Sequence, residues 1–84
     1  MANSISSRSA LRSLVLSLSL EETHKLSAKV YVSCHDGSGQ KWWLPITEAY
    51  RHGKRGIAVV SDGINLWTPN ELSESECAEI VSAW

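Results

Sequence analysis

Alternation of apolar and polar residues predicts a pair of strands in the middle of the chain. In residues 28–35, small apolar side chains beginning at Val30 occupy every second position, as in a half-buried strand. Residues 36–39 contain two glycines and predict a loop, after which residues 40–44 return as the second strand. Pro45 either ends that strand or marks it as a sheet edge, because proline has no N–H to donate to a neighbour.

A second hairpin is predicted further on, where an Asp-Gly pair at positions 62–63 separates the apolar runs 57–61 and 64–68. Asp-Gly between two such runs is typical of a two-residue type I′ turn. The turn fixes the register, and it places Trp67 on the same face as Val60. The pairs it predicts are Val60–Asn65, Val59–Leu66 and Ala58–Trp67.

The first part of the chain fits two periodicities. Residues 7–18 repeat apolar positions with the spacing of a helix face, whereas residues 13–20 also alternate as a strand would. Leucine favours a helix and β-branched residues are scarce here, so we predict a helix and keep the strand as the alternative. Ser19 and Glu22 form a capping-box pattern, which predicts a second short helix through about Ser27.

Capping signals predict two more helices. Thr47 could cap a short helix over residues 48–52 that ends at Gly53. The last helix begins at either Thr68 or Ser73, since both start a capping pattern. It carries an apolar stripe at helical spacing. The stripe consists of Cys77, Ile80, Val81 and Trp84.

These elements predict an α+β fold within a single compact domain over residues 1–84. It consists of an N-terminal helix or helices, two antiparallel β-hairpins joined by a short helix, and a C-terminal amphipathic helix packed on the sheet. Hydrophobic residues make up 43% of the chain and charged residues 20%, an ordinary globular composition. The net charge of −1 gives no overall field that attracts nucleic acid or a membrane.

Two features bear on where the protein works. Residues 1–20 are rich in serine, contain two arginines and lack acids, the composition of an organellar transit peptide; we expect them to belong to the fold. No apolar stretch is long enough to span a bilayer. Cys34 and Cys77 have no motif spacing, so we expect two reduced thiols in a cytoplasmic protein, with a single bridge as the alternative.

Charge is unevenly distributed along the chain. Residues 37–60 are basic, whereas residues 61–84 carry five acids and no lysine or arginine. Glutamates near a helix N-terminus suit the helix dipole, and this explains the acidic quarter better than a partner-binding face does.

No catalytic set is apparent. Cys34, His35 and Asp36 are consecutive, but on a strand the thiol and the imidazole point to opposite faces and cannot form a nucleophile–base pair. The cysteine and histidine spacings match no zinc pattern, so we expect neither a metal nor a cofactor. We therefore predict a protein that is not an enzyme.

Four tryptophans and no phenylalanine make the aromatic content unusual. Because neighbours on a strand point to opposite faces, we expect one of Trp42 and Trp43 in the core and the other free for recognition. Tryptophan, tyrosine and arginine are the residues enriched at binding hot spots. The predicted partner-binding residues are Lys41, Trp42, Trp43, Tyr50, Arg51, Lys54 and Arg55.

The sequence thus predicts a small protein–protein interaction module that acts as a regulator, inhibitor or adaptor, of the accessory kind carried by phages and mobile elements. A homodimer would satisfy the same features. The alternative is a nucleic-acid-binding accessory protein, in which Lys41-Trp42-Trp43 stack bases and residues 51–55 contact phosphates.

Overall fold

The computed structural model describes residues 6–53 and 56–84, and it shows an α+β fold with two helices and one four-stranded antiparallel sheet. The strand order is β1-β2-β3-β4, so each strand pairs with the next one along the chain. The elements are α1 (Ser7–Leu16), β1 (Thr23–His35), β2 (Lys41–His52), β3 (Ile57–Ser61), β4 (Leu66–Trp67), a 3₁₀ turn (Pro69–Glu71) and α2 (Glu74–Ser82).

The predicted N-terminal helix is confirmed as α1. Ser6 caps it by accepting a hydrogen bond from the backbone N–H of Ser9, and Leu11 and Val15 on one face are fully buried. The predicted second helix is wrong. Glu22 does accept from the N–H of Ser19 as a capping box requires, but the chain then enters β1 and pairs with β2. Backbone pairing to another strand therefore outweighs the local capping signal.

Strand β2 runs unbroken for 12 residues, so the predicted helix over residues 48–52 is wrong. This segment lies between two partners, pairing with the start of β1 on one side and with β3 on the other. Two rows of backbone hydrogen bonds outweigh the capping preference of Thr47. The two predicted hairpins are consequently parts of one continuous sheet, and the segment predicted as a helix belongs to β2. Pro45 does not end the strand; it faces β1 on one side only, as an edge residue would.

A register shift interrupts the pairing of β1 with β2. Pairing with β1 is irregular between Lys25 and Val30, where β1 has more residues than its partner. Ile46 and Ala49 are both fully buried although they are three positions apart, which strict alternation on a strand forbids. The bulge redirects side chains along β1, and both halves of β2 contribute a buried residue to the same core.

The hairpin of β3 and β4 forms at a different register from the one predicted. Val60 pairs with Trp67, and four residues connect the strands rather than two. Asp62 explains the longer loop, because its carboxylate accepts from the backbone N–H groups of Ile64 and Asn65 at 2.8 and 2.6 Å. The shift is an even number of residues, so Trp67 keeps the predicted face with Val60.

The last helix is confirmed, with Ser73 as its N-cap. The Ser73 hydroxyl accepts from the N–H of Glu76, and the Glu76 carboxylate accepts from the N–H of Ser73. The earlier capping pattern at Thr68 starts only the 3₁₀ turn. In the predicted apolar stripe Cys77 and Ile80 are fully buried, and α2 packs against α1 and alongside β1.

Helix α2 covers the outer edge of β1. The backbone N–H of Ser33 donates to the Glu76 carboxylate at 2.9 Å, and the N–H of Ser27 donates to the Ala83 carbonyl at 2.8 Å. Both donors belong to the side of β1 that faces away from β2. The helix therefore takes the place of a further strand at this edge.

Candidate binding surface

The adjacent tryptophans lie near the loop end of the β1–β2 hairpin. Trp42 pairs with Cys34 and Trp43 with Ser33, so by alternation they occupy opposite faces of the sheet, as predicted. Both indoles are nevertheless exposed, to 41% for Trp42 and 58% for Trp43, so the prediction that one is in the core is wrong.

The reason lies in how far the helices reach along the hairpin. Val32 lies on the helix-covered face and is 1% exposed, and Cys34 on the same face is half-buried. Residues 35–43 follow, and they are exposed whichever face they lie on. The end of the hairpin thus extends past the packed layer. Both faces are open to solvent there, so the orientation of a side chain no longer decides its burial.

Tyr31 adds a third exposed ring that the sequence analysis did not assign to the site. It is 56% exposed and pairs with Pro45, which places it diagonally across the strand pair from Trp43 on the same face. Alternation already put Tyr31 on the outer face, but the pairing register needed to bring it near Trp43 could not be read from the sequence. Tyr31, Lys41, Trp42 and Trp43 are called the aromatic hairpin surface below.

Tyr31 and Trp43 also line a groove of about 650 Å³ between the hairpin and α2. The helix contributes small residues with one carboxylate, Glu79, and β1 contributes Lys29. The volume is in the range of about 300–1,000 Å³ in which proteins hold ligands or partner side chains. The groove therefore gives the two outward rings a concave setting beside them.

The remaining predicted site residues lie elsewhere. Tyr50 and Arg51 are near the far end of β2, about 26–30 Å from Trp42 at about 3.3 Å per strand residue. Tyr50 packs edge-to-face on His52, with ring centroids 5.8 Å apart. Lys54 and Arg55 lie outside the described residues. The structure therefore brings together Lys41, Trp42 and Trp43, and separates them from Tyr50 and Arg51.

Arg51 is turned toward the body of the protein. Its guanidinium donates to the carbonyl of Leu18 at 3.3 Å, and its buried Nε has no hydrogen-bond partner among the described residues. Gly56 lies directly against it, with a φ of +65°, and an added Cβ there would come within 2.7 Å of that Nε. A side chain packed this closely has little freedom to reach a partner.

The other two tryptophans pack into the fold. Trp67 lies against the core, in a row across the sheet with Val60 and Ala49. Trp84 stacks on His24 with ring centroids 4.2 Å apart, and its carbonyl lies 2.8 Å from the His24 Nε2. Two indoles thus serve packing, and the two at the hairpin end are those left exposed.

Both cysteines are free thiols. Burial, together with the negative charges of Glu76 and Asp62, raises the pKa of Cys34, and burial likewise raises the pKa of Cys77. A raised pKa lowers the fraction of reactive thiolate at neutral pH. His35 follows Cys34 on the strand and therefore faces the other way.

Among residues 6–53 and 56–84, no group of three or more His, Cys, Asp and Glu side chains could hold a metal ion. In the same part of the chain, neither helix is long and apolar enough to cross a membrane.

Comparison with protein-family models, curated proteins and solved structures finds no match for this chain.

Proposed function

We propose that this protein is a small protein–protein interaction module without catalysis of its own, acting as a regulator, inhibitor or adaptor. Its binding site is the aromatic hairpin surface. The observation that supports this most directly is Trp43, whose indole is 58% exposed on the same face as the exposed ring of Tyr31, while the exposed indole of Trp42 lies on the other face. Aromatic side chains of this kind are the residues enriched at binding hot spots.

The energy available from Trp43 is large enough for an anchor residue. A fully buried aromatic side chain removes about 150–250 Å² from water, and 58% of that area remains exposed here. At about 25 cal/mol per Å², covering this exposed area in a complex contributes about 2–4 kcal/mol to the free energy of binding. Removing the ring should therefore weaken binding by about one to three orders of magnitude.

The arrangement of charges supports a protein partner over nucleic acid. A single-strand binder combines stacking rings with a track of basic residues. Lys41 adjoins the exposed rings, but Arg51 lies near the far end of β2 and is bonded to the body of the protein. The sequence pI near 6.3 also shows no basic excess.

Affinity capture with matched variants tests the proposal. Wild-type protein, Trp43→Ala and Ile64→Ala are each used as bait in lysate of the source cells, and the captured partner is then purified and its Kd measured. Ile64 is the control because its side chain is 88% exposed but lies in the β3–β4 loop. Trp43→Ala should weaken binding strongly and Ile64→Ala only slightly, while far-UV circular dichroism stays unchanged for both.

A salt titration separates the two partner classes. Binding driven by phosphate contacts weakens steeply as salt is added, in proportion to the number of phosphates neutralised. Binding anchored by an indole should change little over the same range. Equal affinity of the wild type and Trp43→Ala for the purified partner would refute the proposed site, and steep salt dependence with a captured nucleic acid would favour the alternative.

A further inference from the structure

One side of the first half of β2 has no strand beside it in the described part of the chain. Strand β3 pairs with β2 only over the Glu48–His52 segment. Residues 41–47 therefore have β1 on one side and an open edge on the other. Open edges offer unpaired N–H and C=O groups, to which a further strand can pair.

The pairing geometry shows which groups face this edge. The N–H of Ser33 donates to Glu76, so it points away from β2 and the Ser33–Trp43 pair is not hydrogen-bonded. In such a pair the N–H and C=O of Trp43 also point away from β1. Two residues earlier, Lys41 has the same orientation. No backbone hydrogen bond within the described residues uses these groups of Lys41 or Trp43 on the open side.

Pro45 fits this orientation. It pairs with Tyr31, two residues along from the Ser33–Trp43 pair, so its nitrogen also points to the open edge. A proline there removes no hydrogen bond from the β1–β2 ladder. It does remove one donor from the edge, which confines regular pairing with an added strand to the stretch before it.

We propose that a second copy of the chain occupies this edge, with the two β2 strands antiparallel about a two-fold axis at Trp42. A two-fold contact requires a surface that is complementary to itself. With Trp42 opposite Trp42 of the partner subunit, Lys41 of each copy lies opposite Trp43 of the other. The N–H and C=O groups of Lys41 and Trp43 in both copies then form four backbone hydrogen bonds.

Side-chain chemistry selects this register over its neighbours. Lys41 and Trp43 share one face of β2, so the lysine ammonium lies beside the indole of the opposite copy, an attractive cation–π arrangement. Centring the pair on Lys41 would instead place two like charges opposite each other. Centring it on Trp43 would bring Lys41 against Pro45, which has no N–H for the lysine carbonyl.

This inference rests on the proposed function in using the same hairpin, and it names the partner at the strand edge. Sedimentation equilibrium over a range of protein concentrations should show a reversible dimer. Lys41→Pro removes two of the four bonds and the cation–π contact but no hydrogen bond of the β1–β2 ladder, so it should raise the dimer dissociation constant at least about tenfold. Lys41→Arg keeps both the N–H and the charge and should dimerise as the wild type does.

Cross-linking tests the register separately. In a Cys34→Ser background, Trp42→Cys places a thiol opposite its own copy, within the Cα separation of about 4.4–6.8 Å that a disulfide spans. Lys41→Cys is the matched control, because position 41 of one copy and position 41 of the other are offset by two residues across the axis and do not lie opposite each other. Mild oxidation should give covalent dimers of the first variant and few of the second, even if the proline variant folds poorly.

Each of the following results would overturn the proposed dimer or its register. Monomeric wild-type protein at every concentration would overturn the dimer and leave partner capture through Trp43 unaffected, so the two proposals can fail separately. A dimer that is insensitive to Lys41→Pro, or one that cross-links equally well through position 41, would place the contact elsewhere. Pairing of the edge only with a strand from another protein would likewise overturn the second copy as occupant.

Discussion

Replacing Glu76 by glutamine should destabilise the protein, because this carboxylate joins helix α2 to strand β1. One oxygen accepts from the N–H of Ser73 at 2.8 Å and the other from the N–H of Ser33 at 2.9 Å. Glutamine has one carbonyl oxygen and one NH₂ group. It can accept from only one of the two donors and presents a second donor to the other.

The magnitude follows from the hydrogen bond that is lost. A hydrogen bond to a charged group contributes about 1.5–3 kcal/mol when well shielded. The Glu76 side chain is partly exposed, and solvent screening reduces this value. We expect a loss of about 1–2 kcal/mol in the free energy of unfolding, with a fall in Tm of about 4–8 °C for each kcal/mol. Glu79→Gln is the matched control, since no hydrogen bond to that exposed carboxylate occurs within the described residues.

The effect should also depend on pH. Burial raises the pKa of Glu76, but the N–H groups of Ser73 and Ser33 lower it more, so the folded pKa lies below the ordinary value of 4.5. A depressed folded pKa means that the carboxylate stabilises the protein fully above pH 4.5, and that this contribution disappears as the pH falls through the folded pKa.

Urea denaturation at several pH values measures both effects. The gap between the wild type and Glu76→Gln should be full at pH 7 and should narrow progressively below about pH 4.5. The m-value should stay constant, because the same surface is exposed on unfolding. A gap that is equal for Glu76→Gln and Glu79→Gln, or one that does not change with pH, would refute the reasoning.

Three further predictions concern the glycines, the thiols and the loop between β3 and β4. Gly56→Ala puts a Cβ at a residue with positive φ and against the Arg51 guanidinium, so it should lower the free energy of unfolding, measured in urea, by about 1–3 kcal/mol. Gly37→Ala is the control: an added Cβ there has nothing within 4 Å, and the free energy of unfolding should change by less than about 0.5 kcal/mol. Cys34 should react slowly with a thiol reagent at pH 7 and faster as the pH rises, and rapid labelling of folded Cys34 at pH 7 would contradict its raised pKa. Cys77 is buried and should react only when the protein unfolds. Asp62→Ala should lower Tm because two backbone N–H groups lose their acceptor, while Asp62→Asn, which keeps that oxygen, should lower it less.

The sequence predicted elements whose periodicity and packing agree. Leu11 and Val15 have helical spacing and one buried face, and Cys77 and Ile80 repeat this near the end of the chain. Thr47 and Gly53 give good local capping signals, which favour a helix over residues 48–52. Pairing of this segment with strands on both sides is a long-range effect that local signals do not carry.

The binding surface could be predicted only in part for a similar reason. Adjacent tryptophans on a strand do point to opposite faces, but burial depends on how far the helices extend along the hairpin, which no local pattern encodes. The place of Tyr31 beside Trp43 follows from the register between two strands, which no local pattern encodes. Arg51 was grouped with the site by proximity in sequence, although the structure directs it to the carbonyl of Leu18.

The covered edge of β1 has a consequence for the size of any assembly. A sheet with two usable edges can add copies at both ends and grow into a filament. Here α2 blocks one edge, and the last strand at the opposite edge, β4, is only two residues long. The proposed contact, in which a two-fold rotation relates the two copies, uses the same edge of both copies and leaves no growing end. Assembly through the proposed contact would therefore stop at closed pairs instead of growing into open polymers.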